Sequence, residues 1–137
     1  SSETMIVTSN ATLYIPGDFT INGSATIYIA QGGSLKLYLG GSDNKLNGGG
    51  ISNLGGSATN FSMYGLNTAT SIKYSGGAQF IGSVYAPRSD VTLTGTSDSY
   101  GAIVGKSITT GGSMTFHYDE ALGGGNSKYI VTGWLEL

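Results

Sequence analysis

An aromatic or aliphatic residue followed by glycine recurs along this chain, each time beside a short alternating segment, and the recurrence has a defined scale. Phe80-Ile81-Gly82-Ser83-Val84-Tyr85-Ala86-Pro87 is echoed by Ser99-Tyr100-Gly101-Ala102-Ile103-Val104-Gly105-Lys106, which places Gly82 and Gly101 at equivalent points of two copies. Met63-Tyr64-Gly65 is an earlier, weaker copy. Tyr14 and Tyr38, each between two aliphatic residues, repeat at a slightly wider spacing. Self-similarity at about 20 residues marks a solenoid, in which one coil cannot bury its apolar face alone and stacks on its neighbours.

Between the repeats the pattern is that of strands. Leu13-Tyr14-Ile15, Phe19-Thr20-Ile21, Ile27-Tyr28-Ile29 and Leu35-Lys36-Leu37-Tyr38-Leu39 place apolar residues at period two, as do Ser71-Ile72-Lys73-Tyr74, Val91-Thr92-Leu93 and Met114-Thr115-Phe116. Pro16-Gly17, Asn22-Gly23 and Gly32-Gly33 separate them with turn chemistry. No window has convincing helical periodicity, and Asp119-Glu120-Ala121-Leu122 suits a single helical turn at most. Short strands at regular spacing also suit a sandwich or barrel. The brevity of strands and turns, and a step that matches one coil, favour an all-β, single-domain parallel β-helix. About five to six short coils are expected over residues 1–137. Residues 1–11 serve as an N-terminal extension or first edge strand, and 123–137 as a C-terminal closing strand. Gly40 to Gly56, rich in Gly, Asn and Ser with isolated Leu46, Ile51 and Leu54, reads as an irregular coil.

Composition narrows the function classes. Charged residues make up 10% of the chain, against the usual quarter, and Gly, Ser, Thr and Asn take their place. Such a surface solvates adequately but repels its own kind weakly, so self-association is easy. Six basic residues are scattered and the net charge is −2, which leaves no patch for neutralising phosphates and makes nucleic acid an unsuitable partner. With no cysteine there is no disulfide, thiolate metal site or cysteine nucleophile. No apolar run is long enough to insert in a membrane. The start at Ser1-Ser2-Glu3 reads as a processed protein or an excised domain. Asn10-Ala11-Thr12, Asn22-Gly23-Ser24 and Asn60-Phe61-Ser62 match the glycosylation acceptor pattern, at a frequency chance supplies in so Asn-, Ser- and Thr-rich a chain.

The order of four segments in the second half is characteristic. Phe80 to Pro87 is followed by Val91-Thr92-Leu93-Thr94-Gly95, by Tyr100 to Ser107, and by Phe116-His117-Tyr118-Asp119-Glu120-Ala121-Leu122, with Tyr129-Ile130-Val131-Thr132-Gly133-Trp134-Leu135-Glu136 at the close. This resembles an uncharacterised bacterial domain family found at the C-terminal end of PilX-type pilus-assembly proteins and related surface proteins. The likeness is strongest over residues 60–137 and extends back toward residue 12. It implies an exported, bacterial cell-surface or extracellular β-solenoid tied to pilus-like filaments, and it supplies no catalytic residue.

Candidate chemistry is sparse. His117-Tyr118-Asp119-Glu120 is the densest titratable cluster and holds the only histidine. Strand alternation would put His117 and Asp119 on one side and Tyr118 and Glu120 on the other, so a cap over the last coil fits better than an acid–base or metal site. Asp18, Asp43, Asp90 and Asp98 show no calcium-loop spacing. Arg88 with Asp90 is too little for lyase chemistry on a β-helix. No enzyme activity, cofactor or metal is expected. Thr92, Thr94 and Thr96 would suit an ice-binding array only with matching threonines on other coils, where Lys106 or Ser113 is expected instead.

Tyr14, Tyr28 and Tyr38 are the more telling residues. With their aliphatic neighbours turned inward, all three point outward, where they can pack against another subunit or stack on sugars. The reading is a structural, self-associating filament subunit whose main partner is a copy of itself. Tyr14, Tyr28 and Tyr38 are assigned to lateral contact, Ile130 and Trp134 to an end contact, and His117, Asp119 and Glu120 to capping. The alternative is a monomeric adhesin domain that binds glycans or a surface protein through the tyrosine face.

Overall fold

The computed structural model describes residues 3–119, which form a succession of short parallel strands with almost no helix. The first coil contains β1 (Thr4–Val7), β2 (Asn10–Ile15) and β3 (Thr20–Ile21). The second contains β4 (Thr26–Ile29), β5 (Ser34–Leu39) and β6 (Asn44–Leu46). The third contains β7 (Gly50–Asn53), a 3-10 turn at Ala58–Asn60, β8 (Phe61–Gly65) and β9 (Ser71–Tyr74). β10 (Ile81–Gly95) and β11 (Ser99–Gly112) each turn a corner and serve two faces, and β12 (Phe116–Tyr118) opens a further coil.

Three faces result, because each strand pairs in parallel with its counterpart one coil on. Face A is β1-β4-β7. Face B runs β2-β5-β8, then the first halves of β10 and β11, then β12. Face C runs β3-β6-β9, then the second halves of β10 and β11. The all-β parallel solenoid of about five turns is the architecture expected from the repeat. From β5 onward the coil shortens along face B, as the successive pairs Leu35↔Phe61, Ser62↔Ser83, Ile81↔Tyr100 and Ser99↔Phe116 show by their narrowing separation in sequence.

Alternation does the packing. In β5 the inward Leu35, Leu37 and Leu39 are buried while Lys36 is exposed. Ile29, Leu37, Leu39 and Leu46 retain no accessible surface, and with Phe61, Met63, Ile72 and Phe80 they make one column of apolar side chains along the axis. Burying a side chain of this size contributes roughly 1.5–3 kcal/mol. In the first coil Leu13, Ile15 and Phe19 point the same way but are only half-buried, because no strand lies above them among the described residues.

Gly40 to Gly56 departs from the irregular coil expected of it. It contains β6 and β7, with Leu46 and Ile51 buried in the column, while Leu54 is exposed in the following turn. Asn44 explains how so polar a stretch stays regular. It is fully buried, accepts from the Phe19 N–H at 3.1 Å and donates to the carbonyls of Gly41 (2.8 Å) and Ser71 (3.2 Å). Those partners belong to three successive coils.

Face A stops at β7 among the described residues, and a side chain takes the place of the next strand. The Tyr74 hydroxyl accepts from the Ile51 N–H at 3.2 Å, and the carbonyls of Ala78 (3.1 Å) and Ile51 (3.3 Å) lie within reach of its one proton. Burial pushes this phenol above the usual tyrosine range, and the Ile51 contact opposes the shift. Tyr74→Phe is therefore expected to cost about 1–3 kcal/mol, the penalty for stranding buried backbone groups. The pH effect has a defined sign. A folded pKa above the unfolded one means stability that is complete below the unfolded value and lost as pH rises through the folded one. Urea midpoints measured between about pH 9 and 11 should fall more steeply for the wild type than for Tyr74→Phe.

Candidate functional site

Parallel register converts the outward side chains of faces B and C into columns. On face B, Tyr14 pairs with Tyr38, Tyr38 with Tyr64, Tyr64 with Tyr85, and Tyr85 with Val104. Four consecutive coils thus present one tyrosine at the same position. Tyr14 and Tyr85 are 65% and 49% exposed, and the Tyr38 and Tyr64 rings between them stack at 4.8 Å and 15°. Beside this column run Thr12, Lys36, Ser62, Ser83 and Ala102, of which only Lys36 is charged.

Tyr28 does not join the row. Its alternation is as expected and it points outward, but β4 belongs to face A, where Tyr28 pairs with Ile6 and Ser52. Period two distinguishes inside from outside and cannot distinguish one outer face from another. The members that sequence reasoning misses are Tyr64 and Tyr85. Their signal is the Met63-Tyr64-Gly65 and Val84-Tyr85-Ala86 setting, which the structure pairs residue for residue over Met63↔Val84 and Tyr64↔Tyr85.

Charge collects elsewhere. On face C, Thr20, Lys45, Lys73, Thr92 and Thr109 form one column. Next to it the Asp43 N–H donates to the Asp18 carboxylate at 3.0 Å, and Ser71, Asp90 and Ser107 follow in register. Lys45 lies 2.9 Å from Asp43; this contact holds the Asp43 carboxyl below its ordinary range and raises the Lys45 ammonium. Carboxylates beside the lysines deny the face a basic patch. Thr92 does meet a matching threonine, Thr109, rather than the Lys106 or Ser113 expected there, but the array ends at Lys73 on the other side.

His117 lies in β12, where its ring stacks on Tyr100 at 4.6 Å and 14° and its Nε2 is 3.2 Å from the Asp98 carboxylate. Asp119 follows, its N–H donating to the Gly101 carbonyl. Glu120, Ile130 and Trp134 lie outside the described residues. Among the described residues no three His, Asp or Glu side chains converge to hold a metal ion. A cleft of about 450 Å³ opens at the first coil beside Met5, Phe19 and Ile21, and one of about 230 Å³ lies where face A ends, beside Phe80, Thr94 and Met114. Neither is lined by an acid–base pair or a nucleophile set against a base.

Residues 6–124 match the model of a family described as Domain of unknown function (DUF7305). The chain belongs to this family. The match begins inside β1 and passes beyond β12, so the family covers nearly all of the described solenoid. No curated protein and no solved structure matches the chain. Membership and fold together give a β-solenoid domain of unknown function; the association with PilX-type pilus proteins rests on sequence resemblance alone.

Proposed function

We propose that this domain is a structural, self-associating module of a bacterial extracellular or cell-surface filament of pilus-like kind, and that copies meet laterally through face B. The observation that carries this reading is the four-coil tyrosine column on a nearly neutral face, set against a charged face C. Aromatic side chains supply large contact area with few rotamers to freeze, and charges disfavour the centre of an interface. A six-residue strand spans about 20 Å and five coils rise about 24 Å, so two such faces would cover roughly 1,000 Å² together. That is the lower edge of a specific interface, which suits association reinforced by many copies rather than a tight isolated pair.

The stacked Tyr38–Tyr64 pair favours this reading over glycan binding. A sugar packs on an open ring face, whereas these two rings cover one another and offer edges and hydroxyls outward. The exposed Tyr14 and Tyr85 are the positions where a glycan would bind instead.

The test is sedimentation and electron microscopy of the purified chain over a concentration series, beside a variant with Tyr14, Tyr38, Tyr64 and Tyr85 all changed to serine. Assembly that weakens at least about tenfold in the variant, as loss of about 1.4 kcal/mol or more across the contact implies, is the expected result. Monomers at every concentration would end the proposal. Glycan retention by those monomers, lost in the variant, would establish the adhesin reading in its place.

A further inference from the structure

The chain has two Asn-Gly steps, Asn22-Gly23 and Asn47-Gly48, and the fold sets them one upon the other where face C turns into face A. Thr20 pairs with Lys45 and Ile21 with Leu46, and the Asn47 N–H then donates to the Ile21 carbonyl at 3.0 Å. A Cβ at Gly48 would stand 2.5 Å from the Gly23 carbonyl oxygen, so the turns are in close contact. Gly23 and Gly48 share φ +66°. The same dipeptide, with the same glycine conformation, therefore occurs twice in different surroundings.

This dipeptide can react with itself. With no Cβ in the way, the glycine nitrogen can approach the asparagine Cγ and bond to it. The glycine N–H proton and the side-chain NH2 leave together as ammonia. Water then opens the resulting cyclic imide at one carbonyl or the other, which gives aspartate or isoaspartate. The reaction needs water alone. Its rate depends on how freely the Asn-Gly peptide plane can rotate and the side chain can swing onto it.

Asn47 is held from both sides. Beyond its bond to Ile21, its side-chain carbonyl accepts from the Ser75 hydroxyl, the Gly48 carbonyl accepts from the Gly77 N–H at 2.8 Å, and the Gly49 N–H donates to Ala25 at 3.0 Å. Ring closure there would disturb the coil before and the coil after. Asn22, Gly23 and Ser24 are all exposed, and the Asn22 side chain makes no hydrogen bond among the described residues. The Asn22–Gly23 peptide is tied only within its own turn, where the Asn22 carbonyl accepts from the Ala25 N–H at 3.2 Å. We propose that Asn22 is a self-modifying site, converted to aspartate and isoaspartate in the folded protein, and that stacking protects Asn47. Either product sets a carboxylate on the rim of the first-coil cleft, which Glu3 also lines.

The test is incubation of the full folded chain in mildly alkaline buffer, followed by digestion at acid pH and mass spectrometry of the peptides. Position 22 should carry at least about ten times as much acid as position 47, a barrier difference of about 1.4 kcal/mol. In denaturing urea the two positions should react at comparable rates, because the coils no longer restrain either. Asn22→Gln should remove most of the mass gain of the folded chain, since the longer side chain closes a less favourable ring. Equal conversion at both positions in the folded chain would overturn the proposal, as would the absence of acid at position 22. A preference for position 22 that persists in urea would overturn it too, because the flanking residues and not the fold would then set the difference.

Discussion

Gly101→Ala is expected to leave no cooperatively folded protein. The Gly101 backbone has φ +151°, and a Cβ there would overlap the Gly82 carbonyl oxygen, well inside any non-bonded contact. Relief would require the β10 and β11 backbones to part, yet Gly82 is itself pressed against Phe61 on its other side. Separating them would break the longest ladder among the described residues, from Ile81↔Tyr100 to Gly95↔Gly112. A loss above about 4 kcal/mol takes most of the stability of a small domain at the lower end of the usual range of roughly 5–15 kcal/mol. Thermal melts followed by circular dichroism should show no transition for this variant. Gly17→Ala, with nothing near its missing Cβ, should stay within about 1 kcal/mol of the wild type. A normal melt for Gly101→Ala would mean that β10 and β11 do not stack in this register.

Asn44→Leu should destabilise the solenoid by about 2–4 kcal/mol, because it takes the amide partner from one buried and two part-buried backbone groups, at up to about 1–3 kcal/mol each, less some local relaxation. Leucine keeps the branched four-atom side-chain skeleton and is more apolar, so a purely hydrophobic account predicts a gain. The loss comes from the Phe19 N–H and the Gly41 and Ser71 carbonyls, which lose this amide as their partner. Urea unfolding is the measurement, with Asn47→Ala as comparison. Asn47 accepts a bond from the Ser75 hydroxyl at an exposed corner and its loss should cost under about 1 kcal/mol. If Asn44→Leu came within about 1 kcal/mol of the wild type, the bridging role assigned to this side chain would be wrong.

Both residues mark the limit of what the chain shows before it is folded. Gly101 is visible as one half of the repeat with Gly82, and the two are paired. The spacing from Tyr14 to Tyr38 is likewise one coil. Asn44 carries no such signal inside a run of Gly, Asn and Ser, because a buried asparagine and a surface one look alike in sequence. Tyr64 and Tyr85 are legible as outward residues but not as members of the column, since the coil length changes at each step between them and their neighbours.

By itself the sequence determined that this chain is an all-β parallel solenoid, and it did so through quantities that stacking preserves. Alternation fixes which side chains face the axis, and parallel pairing keeps equivalent residues one coil apart in count as well as in space. Which outer residues share a face is decided only by the corners, whose length varies from coil to coil. Those corners set Tyr28 on face A and Tyr14, Tyr38, Tyr64 and Tyr85 together on face B. They also bring Asn44 to the Phe19 N–H of the coil before and the Ser71 carbonyl of the coil after, a satisfaction of buried polar groups that no local pattern encodes.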